Sequence, residues 1–369
     1  MKVAIIHYWL VNMRGGEKVI KSLLEIFEDA DIFTHVYNPK AVSSLIKDRR
    51  VITSRINRLP FAKKLYQLYM PLMPNALNDF NLQSYDLVIS SESGPAKGVI
   101  PNPDAYHLCY CHSPMRYLWD MYHEYFRGAN PLVRVFMKRL IPKLRIWDAV
   151  SSNQVDFFIA NSRYVAQRIM RCYNREAALV FPPVDIDKFL SVERERHPGD
   201  FYLFFGQLTG YKRADLAIEA CVASGKRLVV AGAGKKSKKW HKHEKTGLVT
   251  FMGRVSDEET LKLYSSARAL LFPGIEDFGI IPVEAQASGC PVIAYRSGGA
   301  LDTVIEGVTG IFFDEQTPAS LMEAMDRFES MKAEGAYNNR EAFSSHVRQF
   351  SQEVFKEKVQ KIIDERKRL

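Results

Sequence analysis

The amino-acid sequence predicts an α/β protein of two domains, each an open parallel sheet covered by helices. Three observations predict it. The chain has 369 residues, more than one ordinary hydrophobic core holds and enough for two domains of roughly 150 to 200 residues each. Short apolar runs of β-forming residues alternate with helical patterns through most of the length, as strands do when crossover helices join them. One segment breaks the alternation: Pro182-Pro183 and the charged stretch at 193–199. Paired prolines and unpatterned charge cannot build a core element, so a connection between domains is expected near 183–200.

In the first domain the strands are expected at 3–7, 31–36, 51–53, 86–90, 105–111, 156–160 and 178–181. After the connection the alternation restarts at 201–205, 227–231, 249–251, 269–272, 291–294 and 310–313, which gives a second open sheet. Between two of these strands, Ser256 and Glu259 have the spacing of a capping box and predict a helix start. The Lys-rich segment 235–245, with Trp240, His241 and His243, reads as a solvated loop between strand and helix. Near the end, Val347, Phe350, Val354, Phe355, Val359 and Ile362 recur at helical spacing with Lys and Arg between them, which predicts one or two amphipathic helices.

Composition narrows the function classes. No run reaches the roughly 18 to 20 uncharged apolar residues that cross a bilayer. The first strand starts at Lys2 without a basic, apolar and small-residue leader before it, so a cytoplasmic location is expected. Cys109, Cys111, Cys172, Cys221 and Cys290 form no Cys-x-x-Cys pair and read as small buried apolar residues rather than disulfides or zinc ligands. A net charge of +9 favours an anionic partner: nucleotide phosphates, a lipid pyrophosphate, a membrane surface or nucleic acid. The sequence has no nucleic-acid reader module, and nucleic acid is set aside.

The densest chemical signal runs from Phe272 to Gly289. An apolar strand ends in a loop bearing Glu276, and a helix follows whose start is marked by Gly279 and Pro282. The amides of Phe278, Gly279, Ile280 and Ile281 would point beyond the strand's carboxyl end, where a phosphate or a sugar hydroxyl fits. Glu276 on the loop suits sugar hydroxyls, and Glu284 inside the helix suits a ribose diol.

Here the sequence resembles the retaining glycosyltransferases of family 4. Their signature of two glutamates separated by seven residues reads Glu276 to Glu284, and the following Ala-x-x-x-Gly-x-Pro-Val pattern reads Ala285 to Val292. The resemblance implies the GT-B architecture: two facing Rossmann-like domains, 1–182 for the acceptor and 183–345 for the nucleotide-sugar donor, with a C-terminal helix at 346–369 packing back on the first. It also implies that Glu276 contacts the transferred sugar and Glu284 the nucleotide ribose.

Four further segments extend it. Gly15-Gly16 after the first strand matches a glycine-rich loop facing the donor phosphates and the acceptor, where glycine lets an amide approach an anion. His112, in His112-Ser113-Pro114, matches a histidine near the anomeric centre. Gln207 and Lys212 fall where the family has an Arg and a Lys clamping the diphosphate; the Gln is a departure, which shifts the clamp to Lys212 with help from Arg213. Arg254 and Val255 match a strand end that touches the nucleobase.

The reaction implied is transfer of a sugar from a nucleoside diphosphate sugar, with retention, in a cleft between the domains. The catalytic set expected is His112, Glu276 and Lys212. Mannose from GDP-mannose is the expected donor, because the chain looks like bacterial mannosyltransferases of surface polysaccharide and lipopolysaccharide assembly. The acceptor expected is a glycan or lipid-linked glycan. The Asp29-Ala-Asp31 and Asp185-Ile-Asp187 triplets read as surface carboxylates, and no obligatory metal or other cofactor is expected. Rival readings are a GT-B-like nucleotide-sugar epimerase and a non-catalytic nucleotide-sugar-binding subunit. Basic residues also alternate with Leu, Phe, Tyr and Met at 55–74 and 134–147, a composition that docks on anionic lipid at the inner leaflet.

Overall fold

The computed structural model describes residues 1–126, 130–192, 199–234 and 240–366, and the chain divides into two compact units. One unit comprises Met1–Pro183 with Phe355–Leu369, the other Val184–Val354. Most of the charged connection at 193–199 and residues 235–239 of the Lys-rich loop lie outside the described residues.

The first unit holds seven strands: β1 (Val3–His7), β2 (Asp31–Thr34), β3 (Val51–Thr53), β4 (Leu87–Glu92), β5 (Tyr106–Cys111), β6 (Phe157–Ala160) and β7 (Ala177–Leu179). All pairings are parallel, in the order β3-β2-β1-β4-β5-β6-β7. Every residue of β1 and β4 is buried, as expected of central strands covered on both faces. The strand order reverses between β1 and β4. Crossovers leave in opposite directions there, which opens a crevice at the carboxyl ends of the two strands. Register places His7 opposite Ser91 at that point.

The helix Gly15–Ile26 follows β1, its start fixed by the Arg14 amide donating to Glu17 Oε2 at 2.9 Å. Its Val19, Ile20, Leu23 and Leu24 enter a core that also contains Phe355, Val359 and Ile363 from the helix Gln352–Arg366. Full burial of such side chains contributes roughly 1.5–3 kcal/mol each. The returning segment starts at Phe355 rather than at 346. Residues 346–354 stay with the second unit, where the Phe350 ring meets Phe278 edge-on at 5.5 Å and the Phe350 carbonyl accepts from the Val184 amide at 2.9 Å. Apolar spacing alone runs on through this switch of partner.

The second unit holds β8 (Tyr202–Phe205), β9 (Leu228–Ala231), β10 (Val249–Gly253), β11 (Leu270–Phe272), β12 (Val292–Tyr295) and β13 (Gly310–Phe313). They are parallel in the order β10-β9-β8-β11-β12-β13, so the reversal falls between β8 and β11. The helices Ala214–Ala223 and Pro318–Ala333 bury Leu216, Ile218, Leu321, Met325 and Phe328 against the sheet. Ser256 and Glu259 form the capping box expected of them, at 2.7 and 3.2 Å. Trp240, by contrast, is not simply solvated: its ring stacks on Phe251 at 6.1 Å. Among the described residues no helix is long and apolar enough to cross a membrane.

Candidate functional site

In the second unit the loops after β8 and β11 meet at the reversal of strand order. The β8 loop carries Gly206, Gln207, Lys212 and Arg213; the β11 loop carries Gly274, Glu276, Phe278 and Gly279. Gly274 makes the approach possible, since a Cβ on it would lie 2.7 Å from the Tyr211 carbonyl oxygen and 2.8 Å from Lys212 Cα. Side chains then meet across the contact. Lys212 Nζ lies 2.7 Å from Glu276 Oε1, with side chains only 12% and 19% exposed, so water screens the pair weakly. The Glu276 carbonyl accepts from the Gly299 amide at 2.8 Å, which holds its loop.

The helix Ile280–Ala287 begins immediately beyond. Gly279, its N-cap, sits at φ +93°, in the left-handed region that glycine enters without strain, and as a glycine it brings no side chain of its own to cap the helix start. The amides of Ile280 and Ile281 therefore keep the partial positive charge of an uncapped first turn at the carboxyl end of β11. Phe278 is buried against Phe350, so its side chain is a core contact and only its backbone is available to a ligand. Glu284 is half-buried one turn further on, its Oε2 at 3.5 Å from the Tyr264 hydroxyl. Burial, and then the Glu284 charge, hold that phenol well above the usual tyrosine range.

The remaining expected donor residues lie at the same end of the sheet. Gln207 is exposed. Arg213 donates to its neighbour Asp215 at 3.3 Å. Arg254 is exposed and Val255 half-buried, just past the end of edge strand β10.

In the first unit the crevice between β1 and β4 is lined by a row of polar groups. Ser91 Oγ lies 3.1 Å from His7 Nδ1 and 2.8 Å from His112 Nε2. His112 itself follows β5, held by its amide to the Glu92 carbonyl at 2.7 Å and by its carbonyl to Asn161 Nδ2 at 3.0 Å. Gly15 and Gly16 open the helix Gly15–Ile26, and a Cβ on Gly16 would lie 3.2 Å from His7 Cε1 and 3.4 Å from the Tyr8 hydroxyl. Glycine there leaves room for the His7 ring, which a Cβ would press tighter than ordinary van der Waals contact. Burial, reinforced by His112, pushes the His7 imidazole down to about 3, so it is neutral at ordinary pH.

Beneath His112 lies a fully buried ionic group that sequence reasoning missed. Lys97 bonds Asp148 and lies 3.6 Å from Glu92, while Trp119 Nε1 and the Tyr173 hydroxyl donate to Asp148 Oδ2 at 2.7 and 3.0 Å. Burial raises the Glu92 carboxyl to about 7 against the pull of Lys97. The signal available was the polar run Ser90-Ser91-Glu92-Ser93 at the end of an apolar strand. Asp31, from one of the two acidic triplets, accepts from the Tyr85 hydroxyl at 2.5 Å.

Residues 185–350 match the family model of glycosyl transferases group 1. The chain is 28% identical over 229 residues to human alpha-1,3/1,6-mannosyltransferase ALG2, covering 52% of this chain and 55% of that one. It is 29% identical over 236 residues to D-inositol 3-phosphate glycosyltransferase of Mycolicibacterium smegmatis, covering 57% and 53%. It therefore spans about half the length of these curated relatives. Among solved structures, Anabaena Alr3699/HepE in complex with UDP superimposes with a TM-score of 0.69 at 15% identity over 99% of this chain and 100% of that one. Sucrose-phosphate synthase from Thermosynechococcus elongatus gives 0.72 at 17% identity, over 99% of each chain. The chain has the GT-B fold, and the match to glycosyl transferases group 1 falls within its second unit.

Proposed function

We propose that this chain is a retaining glycosyltransferase of family 4 that moves a hexose from a nucleoside diphosphate sugar to an acceptor hydroxyl. The observation that carries the reading is the Lys212–Glu276 pair at the strand-order reversal of the second unit, next to the uncapped start of the helix Ile280–Ala287. A cation and a helix start suit a diphosphate; a carboxylate beside them suits the hydroxyls of the sugar it carries. Lys212 and the amides of Gly279, Ile280 and Ile281 would stabilise the departing diphosphate as the glycosidic bond lengthens, with Gly15 and Gly16 presenting amides from the first unit. Glu276 would hold the sugar, Glu284 the ribose, and Arg254 with Val255 the base. Gln207 would add an uncharged hydrogen bond to the phosphates, and Arg213 would have to leave Asp215 to join it. His112 would bind the sugar near its anomeric centre.

Mannose from GDP-mannose is the donor we favour, on the likeness to a mannosyltransferase. A lipid-linked glycan is the acceptor we favour, on the exposure of Phe61 at 74% and Leu68 at 71% beside Lys63 and Lys64. That patch would hold the enzyme peripherally at the inner face of the membrane. Catalysis proceeds without a metal in this reading, so turnover should persist in excess EDTA, and loss restored by Mn²⁺ or Mg²⁺ would reject that point.

A thermal-shift panel of nucleotide sugars tests the donor, since a ligand at 100 times its Kd stabilises by about 2.7 kcal/mol. Donor turnover with and without a polyprenyl-linked glycan then tests the reaction. Acceptor-dependent release of nucleoside diphosphate supports it. Isomerisation of the donor without acceptor, or binding without turnover of any sugar, would overturn it.

A further inference from the structure

The serine between two histidines in the first unit constrains where protons sit. Ser91 is fully buried, and among the described residues its hydroxyl meets only these two rings. If it accepted from both, its own proton would be buried without an acceptor, so it donates to one ring nitrogen and accepts from the other. Two arrangements satisfy this. In the first, His7 Nδ1–H donates to Ser91 and Ser91 donates to His112 Nε2. In the second, His112 Nε2–H donates to Ser91, Ser91 donates to His7 Nδ1, and neutral His7 carries its proton on Nε2. Among the described residues His7 Nε2 has no hydrogen-bond partner, and the side chain is wholly buried. The second arrangement therefore buries an N–H with no acceptor, whereas the first leaves only a bare lone pair, the less costly orphan. Gly16 packs against this edge of the ring, a Cβ there lying 3.7 Å from Nε2.

We propose that Ser91 and His7 are positioning residues that hold neutral His112 with its proton on Nδ1 and its Nε2 lone pair occupied by the Ser91 hydroxyl. His112 then meets its ligand as a hydrogen-bond donor and does not serve as a general base through Nδ1. Burial keeps His7 neutral across the working range, so the relay does not reverse by His7 protonation. Its catalytic use rests on the transferase reading above; the tautomer does not.

Histidine-labelled ¹⁵N NMR at about pH 8.5, where an ordinary imidazole is neutral, reads this directly. His112 is assigned by its loss in His112→Gln. The expected result is a protonated Nδ1 and an unprotonated Nε2 in the unsubstituted protein. Ser91→Ala should release the ring to a mixture of tautomers and lower kcat about tenfold with the donor KM nearly unchanged, the effect of one lost hydrogen bond. Ser91→Thr, which keeps the hydroxyl, should retain the tautomer. A protonated Nε2 in the unsubstituted protein, or a Ser91→Ala spectrum that matches it, overturns the proposal. The expected tautomer in a protein that turns over no nucleotide sugar would sink the transferase reading alone.

Discussion

Replacing Glu276 with alanine should separate turnover from nucleotide affinity, because the same carboxylate pairs with Lys212. The 2.7 Å pair has a gross attraction of about 6 kcal/mol at an effective dielectric of about 20. Desolvation of both groups leaves roughly 1–2 kcal/mol net. A nucleoside diphosphate must displace that attraction to reach Lys212, and it brings no sugar for Glu276 to hold. Titration calorimetry with UDP and GDP should therefore find affinity for Glu276→Ala unchanged, or tighter by up to about tenfold. Transfer is another matter. Loss of a charge-assisted hydrogen bond to the sugar costs about 1.5–3 kcal/mol, so kcat should fall roughly 10- to 150-fold. Glu276→Gln, which keeps a hydrogen bond and also frees Lys212, should bind as tightly and turn over faster than the alanine variant. Nucleotide affinity that drops in step with kcat, or turnover left unchanged in a protein with unaltered melting, would refute the assignment.

Glu284→Ala should weaken UDP and GDP about equally, by roughly tenfold, since a ribose contact is blind to the base; a base-dependent loss in calorimetry would count against it. Acid should destabilise the fold: burial drives His7, His35 and His107 down to about 3, 4 and 4, so the unfolded chain takes up their protons first. Their contribution is complete above pH 6.5 and falls as pH drops, by about 2 kcal/mol each at pH 5. Glu92, raised to about 7, acts in the opposite sense, present below its ordinary value and lost as pH rises through 7, and offsets about 2 kcal/mol of this. Calorimetric melting temperatures should thus decline from pH 6.5 to 5, and a flat profile would contradict the burial of these rings. Anionic liposomes should sediment the protein at low salt, and Lys63→Glu, Lys64→Glu, Lys138→Glu and Arg139→Glu together should abolish it; binding indifferent to salt and to these changes would leave those residues as ordinary surface.

Much of the architecture was legible because each strand is short, apolar and bounded by turn residues. The sequence predicts thirteen strands, and thirteen form among the described residues, with ends shifted by a residue or two. The Lys212–Glu276 contact is not legible in the sequence: 64 positions separate the two residues, and only the close passage of Gly274 over Lys212 brings them together. His7 and Ser91 escaped notice because each lies within a strand that periodicity explains as core. Strand order, which depends on crossovers far apart in sequence, turns their ends into a crevice. The sequence suggests a role for the Phe278 amide, and the structure gives its ring a packing duty as well.

The manner in which Phe355, Val359 and Ile363 complete the first core has a consequence for synthesis. Domains ordinarily finish in the order in which they leave the ribosome, at about 5–20 residues per second. Here residues 184–354 must be translated before the last apolar side chains of the first unit exist, an interval on the order of ten to thirty seconds. During that time Leu23, Leu24 and the rest of that core lack these three side chains, which leaves apolar surface that a holdase chaperone can occupy. The unit that emerges first is the one that matures last, and an expression fragment ending at Pro183 inherits the same apolar surface permanently.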